Sequence, residues 1–221
     1  MWIKICGNTN LEDAQLAVEA GADAVGFVFA ESPRRVSAAE VSAITLHLSD
    51  ATEKCGVFVD SSFEEIVRTV QESGLTGVQL HVSRDPKLAS RLCEHFGPSL
   101  RILQVIHYAQ DLESQLNALR NENAIDALLI DSRTATAVGG TGIRFDWQAA
   151  SDSFLHSRLR LIAAGGLRPE NVAEAIHTLQ PWGVDVSSGV ESVPGRKDPA
   201  RVRAFVAAAK AAAEELAAAP R

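Results

Sequence analysis

Cysteine is scarce in this chain. The three present, Cys6, Cys55 and Cys93, are odd in number and far apart, with no CxxC pair and no disulfide or zinc spacing. That pattern excludes a disulfide-stapled secreted fold and points to a reducing, cytoplasmic setting. Basic charge is short as well: 21 Lys and Arg stand against 28 Asp and Glu, for a net charge of −7. Without a basic field, nucleic acid and anionic membrane surfaces are excluded as partners, although a small anion can still be held by a local site. No stretch is long and apolar enough to span a bilayer. A lysine, a thiol and an asparagine within Met1–Thr9 leave no room for the apolar core of a signal peptide.

What is present is a repeated alternation of short β-branched runs with amphipathic helical stretches. With 46% hydrophobic residues, the 221-residue chain can bury one sizeable core, and a single domain over residues 1–221 is expected. The strand candidates are Trp2–Cys6, Ala24–Phe29, Lys54–Val59, Gly77–His81, Leu100–Ile106, Asp126–Asp131, Arg160–Ala164 and Gly183–Ser187. Several are continuous apolar runs of the kind buried on both faces, so parallel strands follow. Capping boxes at Ser37/Glu40 and Ser62/Glu65 announce two helices, and Asp85-Pro86, Arg168-Pro169 and Asp198-Pro199 supply proline start signals for others. The alanine-rich segment from Asp198 to about Ala218, with Val202, Phe205 and Val206 as its apolar stripe, is the closing helix. Such βα units fit either an open doubly wound sheet or a closed barrel. The missing GxGxxG after the first strand and the roughly 25 to 30 residues per unit favour an α/β fold of the (β/α)8 TIM-barrel type.

In such a barrel the site is built at the C-terminal strand ends, so the residues closing each strand become the candidates. Along the first strand Trp2, Lys4 and Cys6 alternate with Ile3 and Ile5; the isoleucines face the helices, and Cys6 stands at the mouth one layer above Lys4, whose charge can favour a thiolate. Taken alone, a cysteine there is more often a small buried hydrophobe. Asp131 closes the apolar strand Ala-Leu-Leu-Ile-Asp, where a carboxylate must be solvated, paired or reactive. Three glycine clusters follow the last three strands: the 139–142 run ending at Gly142, the pair Gly165-Gly166, and Ser188-Gly189. Together they suit a phosphate cradle of backbone N–H groups. Arg34 and Arg35 follow strand two, where a guanidinium can grip a carboxylate bidentately, and His81 closes strand four as a lining residue. Cys55, placed at the start of strand three, and Cys93, on a helix, are read as structural.

Taken in order, Lys4 to Thr9, Gly21 to Phe29, Ser32-Pro33-Arg34, Gly77 to His81, Leu129 to Asp131 through 139–142 to Trp147, Ala164 to Leu167, and Val184 to Glu191 with Pro194-Gly195 resemble the phosphoribosylanthranilate isomerase family of tryptophan biosynthesis. The resemblance covers nearly the whole chain. It implies the third committed stage of that pathway, a cofactor- and metal-independent Amadori rearrangement by an aldose–ketose isomerase. N-(5-phosphoribosyl)anthranilate becomes 1-(2-carboxyphenylamino)-1-deoxyribulose 5-phosphate. It further implies Asp131 as general acid, Cys6 as general base, Arg34 as the carboxylate ligand, and Asp185 near the ribose ordering the site. Val82 and Arg35 depart from the usual pattern, glycine and tyrosine respectively, and Arg35 is the alternative to Arg34. Members occur as monomers and dimers. Two rival readings, the bis-phosphorylated sugar isomerase of histidine biosynthesis and an idle phosphosugar-binding barrel, are opposed by Cys6 and by the joint presence of Cys6 and Asp131. A metal-dependent epimerase wants a His and Asp ligand cluster, to which only His81 is placed to contribute.

Overall fold

The computed structural model describes residues 1–81, 84–109, 111–132 and 145–218. Eight parallel strands close into a barrel: β1 (Trp2–Ile5), β2 (Ala24–Val28), β3 (Glu53–Phe58), β4 (Gly77–Leu80), β5 (Arg101–His107), β6 (Ala127–Asp131), β7 (Leu161–Ala163) and β8 (Gly183–Val186). The ring is sealed by β1 pairing with β8, Lys4 opposite Asp185. Each strand lies within a residue or two of its expected place, because a continuous apolar run bounded by polar residues marks a doubly buried parallel strand. After β8 a short antiparallel hairpin follows, β9 (Glu191–Val193) with β10 (Arg196–Lys197).

Around the barrel run α1 (Leu11–Ala20), α2 (Ala38–Thr45), α3 (Phe63–Ser73), α4 (Leu88–Phe96), α5 (Leu112–Leu119), α6 (Trp147–Leu155), α7 (Val172–Leu179) and α8 (Pro199–Ala218). Both expected capping boxes are formed: Ser37 and Ser62 accept from the backbone N–H groups of Glu40 and Glu65, whose carboxylates accept in return. Asp198 caps α8, accepting from the N–H groups of Ala200 and Arg201, with Pro199 in the first helical position. The other two proline signals mark turns rather than helix starts. Asp85 accepts from Lys87 N ahead of α4, and Arg168 N donates to Asn171 Oδ1 ahead of α7, so these helices begin two residues past Pro86 and three past Pro169. Short polar side chains caught a nearby N–H before the helical ladder could start.

Alternation divides the barrel's apolar residues into two sets. Ile3 and Ile5 join the larger layer between strands and helices, whereas Trp2, Ala24, Cys55, Leu103, Val105, Ala127, Leu129, Ile162 and Ala164 fill the interior. Cys55 is therefore an interior residue, third in β3 rather than at its start, and burial pushes its thiol up to about 12. Trp2 stacks on Trp182 at 5.3 Å and plugs the lower end, leaving only the upper end open for chemistry.

Helix α8 packs on α1 and α7 through Val202, Phe205, Val206, Ala209 and Ala212, all buried. Phe205→Ala is expected to cost about 3–5 kcal/mol by urea denaturation. Removing the α3 cap with Ser62→Ala is expected to cost about 1 kcal/mol in the same measurement.

Candidate active site

Beneath the mouth, Lys4 is fully buried on β1 and must spend its ammonium donors on protein acceptors. Its Nζ donates to Asp185 Oδ1 and to Gln79 Oε1, both at 2.8 Å. Burial alone would depress this lysine, but attraction to Asp185, with smaller contributions from Cys6 and Cys55, holds it well above its ordinary range. Gln79 in turn meets His81 at 3.3 Å, and the His81 ring lies 6.1 Å from that of His107. A polar belt thus crosses the barrel from β8 through β1 to β4, ending where the His81 ring faces that of His107 on β5.

Cys6 stands directly above Lys4, just past the end of β1, and is buried. Room for it comes from Gly26 on β2: a Cβ there would lie 2.6 Å from Cys6 Sγ and 3.0 Å from Lys4 Cε. Asp131, also buried, closes β6 three strands away around the ring. Its space is made by Gly165, where a Cβ would lie 2.6 Å from Asp131 Oδ1 and collide with the Ser132 side chain. Gly165 and Gly166 both adopt left-handed φ values, +79° and +67°, directly after β7. Beside them the turn 188–190 carries Ser188 and Gly189, the latter packed so tightly on the Leu167 carbonyl that no side chain would fit. The two glycine turns therefore lie together at one side of the mouth. Gly142, the third part of the expected cradle, lies outside the described residues.

The two arginines separate clearly. Arg35 is exposed and pairs with Glu31 at 3.1 Å on the outer surface. Arg34 is buried and folds inward over Gly7, with Glu191 gripping Nε at 2.8 Å and Nη2 at 2.6 Å in a bidentate fork. Glu191 also takes Lys197, whose Nζ donates to Glu191 Oε1 at 3.2 Å and to the Cys6 carbonyl at 2.5 Å. Asp185, read from the sequence as a ribose neighbour, is occupied by Lys4. Lys4, read as the cation serving Cys6, has that partner of its own.

Sequence reasoning therefore brought Cys6, Asp131, Arg34, Asp185, His81 and the described glycines to one end of the barrel, where the structure has them. It missed Glu191 and Lys197 as site residues, and also Gly26 and His107, and it gave Gln79, at the end of strand four, no role. A signal was available for the first two: an acid and a lysine flank the short Pro194-Gly195 turn straight after the last strand. His107 escaped because its strand runs one residue further than its apolar run. Among the described residues no group of three or more His, Cys, Asp or Glu gathers as a metal site would require. Of two open clefts of about 670 and 780 Å³, the larger takes in His81 and His107, and neither is lined by Cys6 or Asp131.

Comparison with known proteins gives a consistent result. The sequence model of the N-(5′-phosphoribosyl)anthranilate isomerase family matches residues 3–208. The N-(5′-phosphoribosyl)anthranilate isomerase of Pelobacter propionicus is 40% identical over 209 residues, 94% of this chain and 95% of that one. The crystal structure of phosphoribosyl anthranilate isomerase from Thermotoga maritima superposes with a TM-score of 0.82 at 37% identity, covering 96% of this chain and 99% of the other. A crystal structure of phosphoribosyl anthranilate isomerase in complex with reduced 1-(o-carboxyphenylamino)-1-deoxyribulose 5-phosphate superposes with a TM-score of 0.79 at 36% identity, with the same coverage.

Glu191 offers a test of the buried charges. Burial opposes its ionisation, but the Arg34 hydrogen bond and the Lys197 charge outweigh that and hold it below its ordinary range. A depressed carboxyl stabilises the fold above its unfolded value, roughly 4.3, and the contribution is lost as pH falls through the folded value. The stability gap between wild type and Glu191→Gln, measured by urea denaturation, is expected to be constant from pH 7 to about 5 and to shrink below that. A gap that widens on acidification would contradict the assignment.

Proposed function

The chain belongs to the N-(5′-phosphoribosyl)anthranilate isomerase family, and on that premise we propose that Asp131 and Cys6 are the general acid and general base of its Amadori rearrangement. The activity is that of an isomerase in tryptophan biosynthesis, taking N-(5′-phosphoribosyl)anthranilate to 1-(2-carboxyphenylamino)-1-deoxyribulose 5-phosphate. In this reading the barrel is one catalytic unit. Its partner is the phosphosugar rather than nucleic acid or membrane, and its setting is cytoplasmic; among the described residues no helix is long and apolar enough to cross a membrane.

Asp131 donates its proton to the furanose ring oxygen as the C1′–O bond breaks, while the anthranilate nitrogen lone pair forms C1′=N. The Cys6 thiolate then removes the C2′ proton. The released electron pair forms C1′=C2′, the iminium pair returns to nitrogen, and the enolamine tautomerises to the ketone as C1′ gains a proton and the C2′ hydroxyl gives one up. Cys6 has then taken one proton and Asp131 has given one, so return of a single proton from Cys6 to Asp131 restores both groups for the next turnover. The acid must be protonated and the base deprotonated at one pH, which demands that their surroundings differ.

The observation carrying this assignment is that two buried reactive groups, Cys6 and Asp131, stand at one barrel mouth, each with a glycine cut away beside it. The remaining roles follow the shape of the substrate. The 5′-phosphate is assigned to Gly165, Gly166, Ser188 and Gly189, together with Gly142. The anthranilate carboxylate is assigned to Arg34 rather than Arg35, since Arg34 alone of the two is folded into the mouth. Asp185 and His81 order the belt below the ribose.

Turnover of phosphoribosylanthranilate generated in situ, followed by fluorescence, tests the assignment. Cys6→Ser and Asp131→Asn are each expected to lower kcat by roughly two or more orders of magnitude, while Arg34→Met is expected chiefly to raise KM. Wild-type protein that binds the product without converting substrate would sink the isomerase reading and leave a binding protein.

A further inference from the structure

The buried charges around Cys6 do not balance. Lys4 is answered by Asp185 and Arg34 by Glu191, in close pairs of 2.8 and 2.6 Å. Lys197 brings a third cation into the same buried region, its side chain fully excluded from solvent. Its three acceptors are the Cys6 carbonyl, the Ser187 carbonyl and the Glu191 oxygen already engaged by Arg34 Nε. Three cations therefore share two carboxylates, and the shortfall shows at Lys197, whose burial pulls its ammonium below the ordinary lysine range against the attraction of Glu191 and Cys6.

The other charged groups packed against Lys197 do not supply the missing anion. Asp13 of α1 accepts from the Lys197 backbone N–H, not from the ammonium, and lies 3.9 Å from Arg196. Arg201 of α8 donates to the Glu191 carbonyl and pairs with Asp198. From the strands, Lys4 and Asp185 satisfy each other and Cys55 is held as a thiol by burial. What remains is Cys6 itself, with which Lys4, Arg34 and Lys197 all interact electrostatically.

We propose that Lys197, delivered by the β9–β10 hairpin, is the counter-cation of the Cys6 thiolate and holds the base in position through the Cys6 carbonyl. The assignment rests on the reading of Cys6 as the base, but it concerns a different residue and a different interaction. Lys4, one layer down, supports the belt. Lys197 supplies the uncompensated charge, and Glu191 sets how much of it Cys6 feels, because it is the only carboxylate that Lys197 and Arg34 share among the described residues. Lys197 is a positioning residue, since it acts on the substrate only through Cys6.

The test is the rate of Cys6 alkylation by iodoacetamide at pH 7, read on the Cys6 peptide by mass spectrometry so that Cys55 and Cys93 do not contribute. Lys197→Met is expected to slow alkylation about tenfold, with rates converging at alkaline pH where the thiol ionises in any case. Glu191→Gln is expected to do the opposite, because it leaves the same cations with one anion fewer. Turnover of Lys197→Met is expected to fall in kcat with little change in KM. An unchanged rate in Lys197→Met, or the same direction of change in both variants, overturns the proposal. If Lys197→Met does not fold, Glu191→Gln decides alone, acceleration supporting and slowing or no change overturning. Alkylation requires no turnover, so a Cys6→Ser variant that remains active would refute the base assignment while leaving the Lys197 result readable.

Discussion

Lys4 and Asp185 stand on the first and last strands of the barrel, and their 2.8 Å ion pair exists only once β1 has docked against β8 in register. Neither group can remain buried and charged without the other, since either one stranded in the interior would lose its hydration uncompensated. Closure of the barrel and assembly of the polar belt are therefore one event. Gln79 and His81 extend the belt to β4, and the mouth above it inherits a floor that is polar, hydrogen-bonded and fixed.

On that floor the site is carved by omission as much as by addition. Gly26 and Gly165 place nothing in the mouth, yet a methyl group at either would strike Cys6 or Asp131. The two reactive groups occupy space that neighbouring strands vacate, three strands apart on a ring whose lower end carries stacked Trp2 and Trp182. Substrate can then approach from one end only, and the acid and the base meet it from different strands. Barrels of this kind vary their chemistry in the same way, by changing strand ends while keeping the packed interior.

A second ionic group, Arg34, Glu191 and Lys197, lies above the first and belongs to segments outside the eight barrel strands. The bidentate fork on Arg34 selects one rotamer of a long side chain, lowering the entropy lost when a ligand is gripped. The same carboxylate divides its charge with Lys197, so the carboxylate-binding arm and the surroundings of Cys6 are electrostatically linked through a single residue.

Much of this was legible without coordinates. The alternation of apolar runs with capped helices locates every barrel strand within a residue or two, because doubly buried strands and amphipathic helices leave different local periods, whereas the short β9–β10 hairpin carries no such run. Strand ends then pointed to Cys6, Asp131, His81 and the glycine turns, since parallel alternation decides facing from local order alone. What the sequence by itself could not decide was which charges meet. Arg34 reads locally as an arm free for substrate, and Lys4 as the cation serving Cys6. Folding instead joined Arg34 to Glu191 across 157 residues and Lys197 to the Cys6 carbonyl across 191. Periodicity is a property of neighbours in the chain, whereas the pairing of buried charges is a property of neighbours in space. Only the closed ring determines those neighbours.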